Sequence, residues 1–211
     1  MYIYFHICTI GNWKNVVNEL LKTIQSSGLF EDMKELRIGV LGDGDVSFFE
    51  TLPKTKLLFQ NADVSLYERP TLLALRRDAM AMDPNTPILY IHSKGVSGRR
   101  GKAQAVEDWR HLLSFWTIER YEDMKNTLQT CDAVGINLKE KPRLHFSGNF
   151  WWSKASYLRT LPETIGPSYC DPEYWIGRSR HHNFKSLFDS KVDHYKTTFP
   201  SDLYKLSSLK K

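Results

Sequence analysis

Four short stretches of this 211-residue chain carry side chains able to act on a charged or hydroxylated ligand. His92-Ser93-Lys94-Gly95 offers an imidazole that can take a divalent metal and an ammonium that neutralises phosphate as a point charge. Gly95 permits a tight turn and close backbone approach. The basic run after it, Gly98-Arg99-Arg100-Gly101-Lys102, suits folding over a diphosphate. Asp171 and Glu173 sit beside Tyr174 and Trp175, where a carboxylate can act as base or nucleophile. The same residues also read as a helix start, with Asp171 capping and Pro172 at the first position. His194 and Lys196 form a second imidazole–ammonium pair, or two exposed residues near a tail.

The fourth stretch is LHFSGNFWWSKASYLRTLP, Leu144 to Pro162. Gly148 inside an apolar strand marks a bulge or a closely approached backbone. Strand alternation puts His145, Ser147 and Asn149 on one face, with Phe146, Gly148 and Phe150 on the other. A hydrogen-bonding face beside Trp151 and Trp152 suits a sugar, which needs partners for its hydroxyls and flat rings for its C–H face. A polar outer face with tryptophans in the core is the plainer alternative. Asp43-Gly44-Asp45 sets two carboxylates at i and i+2, and equally spells a common turn. His181-His182 lacks the i, i+4 spacing of a helical zinc site.

The elements that must position these groups alternate along the chain. Strands are predicted over Tyr2–Cys8, Arg37–Leu41, Lys56–Phe59, Val64–Tyr67, Pro87–Ile91, Asp132–Leu138 and Leu144–Trp152. Helices are predicted over Asn12–Ile24, Pro70–Met82, Ala103–Leu128 (one or two) and Lys154–Leu161. This order predicts an α/β fold: a mostly parallel sheet with helices on both faces and ligands at the carboxyl ends of the strands, where His92 falls.

Composition bounds the rest. With 41% hydrophobic residues there is enough for one sizeable core. The formal charge of +5 favours an anionic partner without distinguishing nucleic acid, acidic membrane or a phosphorylated small molecule. Cys8, Cys131 and Cys170 are far apart and form no CxxC, which points to a reducing compartment, the cytoplasm. Met1 to Ile10 is apolar but short, without a basic flank, and reads as a core strand. No apolar run approaches the ~20 residues of a membrane span.

In order, YERPTL (Tyr67 to Leu72), ILYIHSKGVS, Trp109-Arg110, DAVGIN (Asp132 to Asn137), HFSGNFWW and PEYWI resemble successive blocks of the GT-A-type nucleotide-sugar glycosyltransferases. The resemblance runs from Tyr2 to about Ile176, with HSKG and HFSGNFWW its specific parts. It resembles the amino-terminal glycosyltransferase domains of large chlorella-virus proteins that help build capsid glycans. It implies a GT-A-like (Rossmann-like) single domain, with a nucleotide-binding half over about 1–100, a sugar and acceptor half over about 101–200, and a basic tail. The implied reaction moves a hexose from a UDP-sugar to an oligosaccharide or glycoprotein hydroxyl, with Mn²⁺ or Mg²⁺ and no nucleic-acid partner. A viral member would act in the infected cell's cytoplasm.

The resemblance also assigns residues. Thr9 to Asn12 and Glu68, Arg69 and Thr71 are expected around uracil and ribose. Arg76 or Asp78 is expected to face the donor, Ser93 and Lys94 to meet the diphosphate, and Ser147, Gly148 and Asn149 to line the donor sugar. Asp171 or Glu173 takes the place of the catalytic carboxylate, and His194 and Lys196 approach metal and diphosphate. The chain departs from the family at the end of the central strand, where His92-Ser93-Lys94 replaces an Asp-x-Asp. Metal binding by His92, neutralisation by Lys94, or both, would have to substitute. Two other readings stand beside this one: a single-stranded nucleic-acid-binding module using its tryptophans, and a carbohydrate or nucleotide-sugar binding domain without catalysis.

Overall fold

The apolar amino-terminal stretch forms a strand near the middle of the sheet. In the computed structural model, which describes residues 1–98 and 102–208, the chain runs β1 (Tyr2–Cys8), α1 (Trp13–Ser26), α2 (Leu29–Asp32), β2 (Glu35–Leu41), β3 (Thr55–Asn61), α3 (Arg69–Ala79) and β4 (Pro87–His92). It continues through α4 (Ala103–Ser114), α5 (Tyr121–Leu128), β5 (Ala133–Gly135), β6 (Leu138–Lys139), β7 (His145–Phe146) and β8 (Trp151–Lys154). Last come α6 (Ala155–Leu158), α7 (Asp171–Trp175), β9 (Phe184–Ser186) and α8 (Asp202–Ser208). Arg99, Arg100 and Gly101 of the expected diphosphate loop, and residues 209–211 of the basic tail, lie outside the described residues.

Seven strands form one sheet in the order β3-β2-β1-β4-β8-β5-β9. All neighbours are parallel except β8, which runs antiparallel to both β4 and β5. The α/β class expected from the sequence, a mostly parallel sheet with helices on both faces, is the observed one. Ile3, Phe5 and Ile7 of β1 pack with α1, α4 and α5 on one face, while Tyr4 packs with α3, α6 and α7 on the other. A strand covered on both sides must be apolar throughout, and this is why β1 and β4 read as unbroken hydrophobic runs. Trp151 and Trp152 are both fully buried, one on each face, as adjacent strand residues must be.

Three predicted elements differ. Val64–Leu66 is a single 3₁₀ turn rather than a strand, started by Asp63, whose carboxylate accepts the Ser65 amide. Ala103–Leu128 is interrupted by a π-type turn at Phe115–Glu119, where the Ser114 and Thr117 hydroxyls bond back to carbonyls four residues earlier. The long strand Leu144–Trp152 is absent. β7 and β8 are separated by a turn in which Gly148 (φ 95°) and Asn149 (φ 56°) are both left-handed, so the expected alternation of faces does not hold.

α3 is tied to the sheet by charge as well as packing. Arg37 Nη1 lies 2.7 Å from Asp78 Oδ2 and donates to the Tyr4 hydroxyl, which itself donates to Asp78 at 2.8 Å. Asp78 therefore fastens α3 to β1 and β2 and does not face a donor. Replacing it leaves Arg37 with the Glu35 carboxylate but without its tie to α3, and removes the acceptor of the Tyr4 hydroxyl. Asp78→Ala should lower unfolding free energy by about 2–3 kcal/mol in urea titrations.

Candidate functional site

β1 and β4 end side by side, with His6 opposite His92. Beyond them Ser93 closes the junction: its amide donates to the His6 carbonyl, and its Oγ accepts the Cys8 amide at 2.9 Å. A cavity of about 170 Å³ opens here, lined by Glu68, His92, Lys94, Gly148, Asn149 and Glu173. Four separate segments of chain supply these six residues, so the fold rather than local sequence assembles them.

The Gly148-Asn149 turn is the cavity's inner wall. Gly148 N donates to Glu173 Oε1 at 2.8 Å, and the Gly148 carbonyl lies 3.0 Å from His92 Nε2. Asn149 Nδ2 donates to Glu68 Oε2 at 2.6 Å, and the Trp151 indole donates to Asn149 Oδ1 at 2.8 Å. Tyr90 also donates to Glu68 Oε2. A methyl at Gly148 would stand 2.7 Å from Leu113 Cδ1 and 3.1 Å from Trp109, so both the conformation and the space require glycine.

Lys94 is the cavity's cation. Its Nζ lies 3.7 Å from the centre of the Trp109 ring, a desolvated cation–π contact worth ~2 kcal/mol. Burial pushes its pKa below the ordinary lysine value, opposed by the carboxylates of Glu173 and Glu68. His194 stacks on Trp109 at 5.2 Å, and Tyr195 meets it edge-on at 5.0 Å. The segment carrying them is strapped across α4 by two bonds, Lys102 N to the Tyr195 carbonyl and Phe199 N to Asp108 Oδ2.

The histidines do not fit a metal. His92 Nε2 is taken as a donor to the Gly148 carbonyl, and burial together with the Lys94 ammonium lowers its pKa to about 3. His194 Nε2 faces Ser190 Oγ at 2.7 Å, its ring lies flat on Trp109, and its Nδ1 is buried without a partner among the described residues. Among the described residues no three His, Cys, Asp or Glu side chains converge as a metal site. Neither His92 nor His194 is therefore in a cluster able to replace the missing Asp-x-Asp.

Several expected site residues stand outside the cavity. Thr9 Oγ1 accepts the Gly44 amide and donates to the Leu41 carbonyl, closing the turn that Asp43-Gly44-Asp45 proves to be. Asn12 is exposed at the start of α1 and makes no capping bond. Arg69 donates to the carbonyls of Leu66, Gly166 and Ser168; Arg76 bonds the Leu161 carbonyl and pairs with Glu163. Thr71 is buried against His6. Ser147 makes a backbone bond to Asn137, and Lys196 is exposed and paired with Asp193. Asp171 Oδ2 accepts the Ser168 amide from the preceding loop; Cys170 rather than Asp171 is the N-cap of α7 and no side chain caps that helix, so the capping alternative does not hold. Ser93, Lys94, Glu68, Gly148, Asn149, Glu173 and His92 do share the cavity. His6, Tyr67, Tyr169 and Tyr195 line it too without having been singled out. The signal for His6 was its place two residues before the end of an otherwise apolar strand.

Burial lowers the pKa of His6 to about 4, as it does for His194, and all three of these histidines are neutral in the fold at neutral pH. The unfolded chain takes up their protons first, near pH 6.5. The stability they contribute is therefore complete above 6.5 and is lost as pH falls towards 4–3. Each adds up to about 1.4 kcal/mol per pH unit to the slope. In urea titrations between pH 6 and 4.5, His92→Gln should flatten that slope by about one histidine's share; an unchanged slope would show that His92 is not buried neutral.

A family model described as a domain of unknown function, DUF8361, matches residues 9–167. No curated protein matches the chain by sequence. HddC from Yersinia pseudotuberculosis, solved in complex with GMP-PN, superposes over 100% of both chains at 9% identity and a TM-score of 0.50, a likeness of fold. A Desulfovibrio desulfuricans G20 protein assigned as a nucleotide-diphospho-sugar transferase has 15% identity and a TM-score of 0.44 over 89% of this chain and 79% of its own. Rv0371C from Mycobacterium tuberculosis H37Rv, solved with manganese, has 15% identity and a TM-score of 0.46 over 97% and 96%.

Proposed function

Because the chain belongs to the DUF8361 family, whose description carries no activity, we propose from the cavity that it is a nucleotide-sugar transferase moving a hexose from a UDP-sugar to a glycan hydroxyl. The observation that carries this reading is the Lys94 ammonium, set on Trp109 at the carboxyl end of β4 in a cavity that also holds Glu173. A fold shared with a protein solved with bound GMP-PN supports it at the level of nucleotide binding. At about 170 Å³ the cavity is below the ~300–1,000 Å³ that encloses a drug-sized ligand. It takes the diphosphate and sugar, and the base lies at the mouth beside the Tyr67–Tyr169 pair.

Lys94 meets the diphosphate. As the bond from the sugar's C1 to the β-phosphate oxygen breaks, its electron pair stays on that oxygen, and the ammonium neutralises the growing charge. A preorganised charge of this kind is worth ~3 kcal/mol, more so out of bulk water. The acceptor oxygen bonds to C1 and its proton passes to Glu173 Oε2, the carboxylate oxygen not engaged by Gly148. The donors at His92 and His194 do not fit Mn²⁺ or Mg²⁺. The role in capsid glycan synthesis and the cytoplasmic site of action rest on the sequence blocks.

The nucleic-acid reading loses its support, since all six tryptophans are buried and none offers a face to a base. UDP or UDP-glucose at millimolar concentration should raise Tm by several degrees. Lys94→Met should abolish the shift while leaving the apo protein at least as stable. Glu173→Gln should keep the shift and lose donor turnover, measured as UDP release with and without acceptor. No shift with either nucleotide would overturn the reading; binding without turnover in the wild type would favour the non-catalytic domain. Titrations in EDTA and in Mn²⁺ read whether the diphosphate brings a cation with it.

A further inference from the structure

α7 is a partition with two sides. Glu173 faces the cavity above, whereas Asp171, Tyr174 and Trp175 line a separate hollow of about 360 Å³ behind it. Arg143 and Arg178 line that hollow as well. Neither guanidinium has an ion-pair partner among the described residues.

The backbone brings these two charges together. A methyl added at Gly177 would lie 2.1 Å from the Leu144 carbonyl oxygen, so the two segments meet with no space between them. Arg178 and Arg143 are the residues next to that contact. Arg143 is fixed further by His145, whose Nδ1 lies 2.7 Å from the Arg143 carbonyl and whose ring packs edge-on against Tyr174 at 5.0 Å. Asp171 is the hollow's carboxylate, but its Oδ2 is spent on the Ser168 amide. Two unpaired like charges held beside one hollow repel each other, and a bound anion reverses the sign of that energy. Guanidinium forks match carboxylate and phosphate oxygens, and the Tyr174 ring with Pro162 and Ile165 supplies a flat apolar wall for sugar C–H groups.

We propose that this hollow binds the anionic group of an acidic acceptor glycan, a carboxylate or phosphate on a sugar near the one whose hydroxyl reaches Glu173. The word acceptor rests on the transferase reading; the anion site does not. Arg178 also lines an adjoining hollow with Arg180 and His181, so the basic surface continues in the way a chain longer than one sugar requires.

The test is calorimetry at low ionic strength on the wild type and on R143Q/R178Q, with each single variant alongside and Tm as the check of folding. Trigalacturonate, inorganic phosphate and neutral maltotriose are the probes, and UDP is titrated in parallel. The wild type should bind trigalacturonate or phosphate and not maltotriose, the double variant at least about tenfold more weakly, with UDP affinity the same in both. Whichever acidic probe binds tells carboxylate from phosphate. Arginine-dependent trigalacturonate binding in a protein that does not bind UDP would keep the anion site and remove its role as an acceptor subsite. No binding of either acidic probe, equal binding by the double variant, or loss of UDP binding along with it would overturn the proposal.

Discussion

The cavity depends on one left-handed turn and the four hydrogen bonds that hold it. Gly148 and Asn149 occupy backbone conformations that cost energy for a chain free to relax, and only cross-linking keeps them there. Glu173, His92, Glu68 and Trp151 each take one end of a bond to this dipeptide. Those partners come from α7, β4, the entry to α3, and β8. The turn thus fixes a carboxylate, an imidazole and a second carboxylate relative to one another, using amide and carbonyl groups that cannot change protonation. It also explains why β8 runs antiparallel between β4 and β5: the chain reverses at this turn and returns as the neighbour of the strand whose end it serves.

The electrostatics follow from that arrangement. Burial disfavours every charge in the cavity, yet Lys94 keeps two carboxylates and an indole face within its field. His92, with a cation near it and a carbonyl to satisfy, is held neutral instead. Among the described residues that line the cavity, Lys94 is the one ammonium, and the imidazoles beside it are neutral.

Strands covered on both faces were legible as continuous apolar runs, so β1 and β4, and with them the location of His92 and Lys94, could be read directly. α1 was legible because Trp13, Val16, Val17, Leu20, Leu21 and Ile24 follow the helical period without interruption. The segment from Leu144 to Trp152 misled because left-handed residues change the direction of a strand without changing its letters. Arg76, Asp78 and Arg69 carry charges that composition shows, but most of their partners lie 41 to 99 positions away, and distance along the chain hides them. Tyr195 escaped notice for the same reason: its place at the cavity comes from contact with Trp109, 86 positions earlier, and not from any local pattern.

The strap formed by His194 to Phe199 sets an order on how this protein comes into being. Trp109, the platform beneath Lys94, is sealed only when those late residues lie across α4. During synthesis the sheet's first four strands and both flanking layers of helices can gather early, while the ammonium's platform stays wet until nearly the whole described chain has emerged. A copy ending before His194 would hold every strand of the sheet but not the finished cavity, whose tryptophan platform is covered last.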